Sequence, residues 1–211
     1  MCFSSQISLT TFILGVLSAI LLLVFGNPIF KKENITLSIF SFFIVVMQLF
    51  DYLFWIDLNN LYGINKISTL FASIINPSQP IILYIIKLIV YTPRQFNIYD
   101  FILLLLNCIY TINVIVGYIS FVKKGDLITR SKNNHLKWKW LSFFNGPFYL
   151  ILFALNIFYL SRFTYSLVCF IIIYLFFILS YILFNYHVGE LWCFFGSSIP
   201  LLMLFFSYVI R

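Results

Sequence analysis

The stretch Ile7-Ser-Leu-Thr-Thr-Phe-Ile-Leu-Gly-Val-Leu-Ser-Ala-Ile-Leu-Leu-Leu-Val-Phe25 decides the fold class, because it runs to Phe25 without a single charged side chain. A helix needs ~20 mostly apolar residues, at ~1.5 Å rise each, to cross a bilayer. This run is that long, and it exceeds a signal-peptide core. No Lys or Arg stands in residues 1–6, so the run reads as a retained membrane helix, with at most Met1 removed. The same reading extends to most of the chain. Of 211 residues, 63% are hydrophobic, 21% aromatic and 9% charged, and mean hydropathy is +1.04. Soluble domains carry roughly 25% charged residues. The 13 Lys and Arg and 6 Asp and Glu here are too few to coat a water-facing surface, so the solvent is lipid.

Six further runs follow, giving segments at about 7–26, 35–57, 67–91, 98–122, 141–160, 163–185 and 190–210. Asn27-Pro28, Asn59-Asn60, Thr92-Pro93-Arg94 and Ser161-Arg162 break them as turn formers do. The runs are continuously apolar and lack the in-out alternation of a membrane β-barrel. The expected architecture is an all-α, polytopic bundle of about seven transmembrane helices with short loops, in one domain over 1–211. The single long connection, 123–140, reads as an interfacial loop with a hairpin tip at Asn133-Asn134 and with Trp138 and Trp140 anchored among headgroups.

The net charge of +7 would suggest nucleic acid in a soluble protein. Here the basic residues lie between apolar runs, where they act as topology signals and as contacts for anionic membrane lipid; no nucleic-acid partner is expected. Lys66, Lys123, Lys124, Arg130, Lys132, Lys137 and Lys139 share a side with the N-terminus, while Lys31, Lys32, Lys87, Arg94, Arg162 and Arg211 fall on the other. The slight excess favours a cytoplasmic N-terminus. Asn34-Ile35-Thr36 then forms a glycosylation sequon by pattern on the outer side, too close to the bilayer to carry weight. Cys2, Cys108, Cys169 and Cys193 show no CxxC spacing and say nothing about redox compartment.

Asp51 is the costliest residue to bury, since an ionised carboxylate inside a spanning helix costs roughly 2.5–3.5 kcal/mol on insertion scales. Gln48 and Trp55 lie three before and four after it, on one helical stripe. Helical rise places Asn76, Gln79, Asn113, Tyr149 and Cys193 at a similar depth, in the N-terminal-side half of the bilayer. Asn76-Pro77-Ser78-Gln79-Pro80 is expected to interrupt the third helix and open a cavity, because two prolines remove backbone donors. Lys87 falls near the opposite end and is expected to snorkel to that headgroup layer. In the last segment His187 occupies a tight connection, with Glu190, Cys193 and Ser197 on one face. The candidate binding cluster is therefore Gln48, Asp51, Trp55, Asn76, Gln79, Asn113, His187, Glu190 and Cys193. A plain helix-packing or headgroup role accounts for the same residues.

With two His in the chain, a zinc site is disfavoured, and neither a metal nor another cofactor is expected. HExxH, GxSxG, GxxxxGK[ST] and GxGxxG are all absent, which removes support for the usual protease, hydrolase and nucleotide sites. The last helix has no Lys for a retinal Schiff base. An internal repeat of three-helix units is hinted at by Asp51-Tyr-Leu-Phe54 against Ser180-Tyr-Ile-Leu183, and by Pro77-Ser-Gln-Pro80 against Ser197-Ser-Ile-Pro200.

The start Met1-Cys2-Phe3-Ser4-Ser5-Gln6-Ile7-Ser8, the pattern Gln48-x-x-Asp51-x-x-x-Trp55, the pair Pro77 and Pro80, and the run Trp192-Cys193-Phe194 resemble a family of uncharacterised multi-pass membrane proteins. Members of that family begin Met-Cys-Phe-Ser and carry Glu where this chain has Asp51. The resemblance implies no biochemical role; it implies a marked N-terminus, with Cys2 as a terminal thiol or an acylation site. Three functions stay open. One is binding or transport of a small polar solute or lipid headgroup in the polar half, with a small molecule or lipid as ligand. The others are a structural, partner-binding role and a lipid-acting membrane enzyme using Asp51 or Glu190 with His187, Cys2 or Cys193. Whether the chain is an enzyme is left undecided.

Overall fold

The computed structural model describes residues 4–92, 95–132, 135–184 and 188–209, without the side chains of 132, 184 and 188–191. It is an all-α bundle. Among the described residues eight α-helices follow one another: α1 (Ser5–Phe25), α2 (Lys31–Ile56), α3 (Ile64–Val90), α4 (Ile98–Lys124), α5 (Gly146–Phe158), α6 (Phe163–Phe184), α7 (Val188–Gly196) and α8 (Ile199–Val209). Five are long and apolar enough to cross a membrane, namely α1, α2 with its leading turn, α3, α4 and α6. Two others, α5 and α8, are apolar but shorter.

Local chemistry sets these boundaries. Ser4 caps α1 by accepting from the Ile7 N–H, and Asn97 and Asp100 form a reciprocal capping box at the start of α4. Asp57, just beyond α2, accepts from the N–H groups of Ile64 and Asn65 and so caps α3 from outside it. Gly125 closes α4 at φ 75°, a left-handed conformation that suits glycine.

Packing between helices relies on small residues, as expected where lipid offers no hydrophobic drive for helices to associate. The buried side of α1 is Ser8, Thr11, Gly15, Ser18, Ala19 and Leu22, a stripe at three- and four-residue spacing. A Cβ on Gly15 would sit 2.3 Å from Val45 Cγ1, so α1 and α2 touch backbone-close there. Gly117 similarly admits the carbonyl of Phe143 to α4.

Three expectations are revised here. The proline pair does not interrupt α3, which runs unbroken from Ile64 to Val90 with Pro77 and Pro80 inside it. The 141–160 segment begins as a 3-10 turn (Lys139–Phe143), and its helix starts only at Gly146, where Asn145 caps it by accepting from Phe148 N–H. The last segment is two helices, broken at Ser197-Ser198 ahead of Pro200. Pro77–Pro80 and Ser197–Pro200 thus behave differently, and the fold gives the supposed repeat no support.

The connection after α4 does form a hairpin. Strand β1 (Arg130–Lys132) pairs antiparallel with β2 (His135–Lys137), Ser131 opposite Leu136; its expected tip at Asn133-Asn134 lies outside the described residues. Asn65 fastens it to α3, donating to the Thr129 carbonyl and accepting from the Thr129 N–H, each at 2.9 Å. The hairpin then folds inward.

Candidate functional site

Asp51 is completely buried, and Trp138 Nε1–H donates to its Oδ1 at 3.0 Å. Trp138 stacks on Trp140 with ring centroids 5.2 Å apart, and both indoles are buried with Phe54, Phe121 and Leu136. The two tryptophans therefore pack within the protein and are not the exposed, lipid-facing anchors expected. Turning inward brings a hydrogen-bond donor to a carboxylate that lipid could not solvate. Gln48, one turn before Asp51, is fully buried as well. Trp55 is half-buried, and its Nε1 has no hydrogen-bond partner among the described residues.

Asn76 and Gln79 occupy a deeper layer of α3, beginning ~18 Å along the helix from Ile64. Asn76 Nδ2 reaches Cys193 Sγ at 3.9 Å, a weak contact that ties α3 to α7. Gln79 accepts from the Tyr149 hydroxyl at 2.7 Å, while its Nε2 has no hydrogen-bond partner among the described residues. Asn113 lies half-buried on α4, its Oδ1 without such a partner. Thus the structure joins Asn76 to Cys193 and Asp51 to the hairpin, with Gln79 held by α5. His187 and the side chain of Glu190 lie outside the described residues.

Between these elements is a cavity of about 250 Å3 lined by Asn76, Pro77, Tyr110, Leu141, Phe144, Gly146, Tyr149, Leu150, Phe177 and Trp192. Its walls come from α3, α4, α5, α6 and α7. It is predominantly aromatic and apolar, with Asn76 and the tyrosines as its polar groups. That composition suits an amphipathic molecule held by few hydrogen bonds, in the usual manner of small-molecule sites. Tyr110 donates to the Pro77 carbonyl at 3.1 Å, and Asn156 donates to the Pro80 carbonyl at 2.9 Å, so cross-helix side chains serve the proline segment. Asn156 also exchanges hydrogen bonds with Asn107.

The opposite half of the bundle holds a polar cluster that sequence reading left at the interface. Lys87 is 3% exposed, and its Nζ donates to the carbonyls of Ile157 and Tyr159 and to Ser161 Oγ at 2.6, 2.7 and 2.7 Å. It does not snorkel. It holds the turn leaving α5, where Leu160 takes φ 62°, and a cation beside a helix C-terminus is electrostatically favoured. Glu33 accepts from Arg162 N–H, and Asp100 from the Tyr159 hydroxyl. Asn34 is buried inside α2 and accepts from the Tyr165 hydroxyl, so the Asn34-Ile35-Thr36 sequon is no modification site in this fold. The expected one-sided distribution of polar groups is therefore corrected: both halves carry buried polar clusters.

Trp138, Tyr110 and Lys87 are the residues that sequence reasoning misplaced or passed over. Tyr149 and Trp192 stood in view, at the right depth and in a recognisable motif, without any sign that they share a wall. Among the described residues no three of His, Cys, Asp and Glu converge as metal ligands. The fold and its buried polar layers define a multi-pass helical membrane protein. No known protein family, curated protein or solved structure matches this chain.

Proposed function

We propose that this protein binds a small amphipathic molecule, a lipid or lipid-like compound, inside the bilayer. The observation that carries the reading is the cavity of about 250 Å3 lined by Tyr110, Phe144, Tyr149, Phe177 and Trp192, with Asn76 among its polar groups. Asp51 supports the bundle instead of facing the ligand, since its buried carboxylate is engaged by Trp138. This favours an amphipathic ligand over a small cation.

In this reading the chain crosses the membrane seven times, with α5 as a short crossing and α7 with α8 as one broken crossing, and its N-terminus is cytoplasmic. Membership in the Met-Cys-Phe-Ser family is part of the same proposal, resting on the Gln48, Asp51 and Trp55 pattern. A structural, partner-binding role is the competing reading, favoured by the Asn107–Asn156 pair, whose hydrogen bonds fasten α4 to α5.

Native mass spectra of protein purified in mild detergent test the proposal. A lipid-sized adduct is expected in wild type and in Asp51→Asn, and is expected to be lost in Leu150→Trp, which adds bulk at the cavity wall. A small cationic adduct lost in Asp51→Asn, or bare protein throughout, overturns it.

A further inference from the structure

A second recess lies where α4 leaves the bundle. It measures about 410 Å3, and its lining includes Lys124, Asp126, Lys137, Trp138, Lys139 and Leu141. Lys139 is paired with Asp126, which leaves Lys124 and Lys137 to set the sign of the site. Lys124 Nζ also stands over the Phe143 ring, 5.4 Å from its centroid. The result is a cationic recess with an aromatic wall, on the loop between two membrane-embedded helices. Asp126 is held below the usual carboxylate range, first by its hydrogen bond from Lys139, with Arg130 and Lys124 adding positive field.

Leu141 lines both this recess and the intramembrane cavity. It is 39% exposed, and it sits on the 3-10 turn that descends from the hairpin toward Asn145. A basic compartment at the interface and an apolar one in the bilayer therefore share one wall. Phosphodiester headgroups meet lysine ammonium groups favourably near the membrane surface, while an acyl chain needs only an apolar path.

We propose that the two compartments hold the two ends of one anionic lipid, its phosphate at Lys124 and Lys137 and its chain passing Leu141 into the aromatic cavity. This rests on the cavity reading above and adds the chemical class of ligand. Trp138 walls the recess and also donates to Asp51, so the headgroup site is built on a fixed hairpin.

The test is titration of full-length protein with lyso-phosphatidylglycerol and lyso-phosphatidylcholine of equal chain length, followed by native mass spectrometry in mild detergent at physiological salt. Wild type is expected to prefer the anionic lipid roughly thirtyfold, the contribution of two lysines near the surface. Lys124→Gln/Lys137→Gln should remove that preference while keeping chain binding, and Lys124→Arg/Lys137→Arg should retain it. Lys66→Gln/Lys123→Gln removes the same charge elsewhere and should leave it unchanged. Both lipids binding equally to wild type, and both lost in Leu150→Trp, overturns the headgroup assignment but keeps the cavity reading. Neither lipid binding overturns both. A preference that survives intact in Leu150→Trp overturns the shared-lipid arrangement, as does an equal loss in Lys66→Gln/Lys123→Gln. Full competition by inorganic phosphate reassigns the recess to free anions.

Discussion

The indole Nε1–H of Trp138 donates to Oδ1 of Asp51 at 3.0 Å, joining the interfacial hairpin to the buried side of α2. A hydrogen bond of this kind contributes about 0.5–1.5 kcal/mol net, and leaving its buried acceptor unpaired costs about 1–3 kcal/mol. Trp138→Phe is expected to lower stability by about 1–3 kcal/mol, read as an earlier thermal transition in detergent. Asp51→Asn keeps an acceptor oxygen and is expected to lose less. Equal losses in both variants would show that the carboxylate charge, not the bond, holds the hairpin.

Lys87→Met removes three hydrogen bonds to the turn after α5 and leaves buried carbonyls unsatisfied. A loss of about 3 kcal/mol or more is expected. Hydrogen exchange should rise first around 157–163, because Leu160 keeps its positive φ only while its flanking residues are held. Unchanged exchange there would mean that α6 alone fixes the turn.

Gly15→Ala places a methyl 2.3 Å from Val45 Cγ1, so α1 and α2 must separate or Val45 must move. Overpacking of this kind costs about 1–3 kcal/mol. Pairing it with Val45→Ala should recover most of the loss in a double-mutant cycle of thermal unfolding. Strict additivity would place the strain elsewhere.

Asp57 is one source of pH-dependent stability. Burial raises its pKa, but hydrogen bonds from the backbone N–H groups of Asn65, Tyr62, Ile64 and Leu61 outweigh that and hold it below the usual carboxylate range. A carboxylate depressed in the folded state contributes stability that is present above its unfolded pKa and lost as pH falls through the folded one. The thermal transition should therefore weaken with acidification below about pH 4. Asp57→Asn should start lower and show a shallower decline. An unchanged acid slope would shift the effect to Asp126, also depressed and paired with Lys139.

The class of fold was legible from the run Ile7–Phe25 and its successors, because a bilayer admits little besides helices when backbone groups have no water to bond. Asp51 was legible as a residue in need of a partner, whereas Asn76 and Gln79, expected at its level by helical rise, lie further along α3 from the shared end. The stripe of small residues on α1 was present too, at i, i+3 and i+4 spacing.

What the sequence left open is which side chain answers which demand. Trp138 lies 87 positions from Asp51, and amphipathic composition alone placed it among headgroups. Lys87 looked like a snorkelling residue until the end of α5 came to rest beside its ammonium group. Apolar runs determine that helices form and cross, since that depends on length and desolvation. Rotation, depth and pairing depend on the mutual fit of close-packed surfaces, and that fit made a cavity behind Asn76 and turned the tryptophans inward.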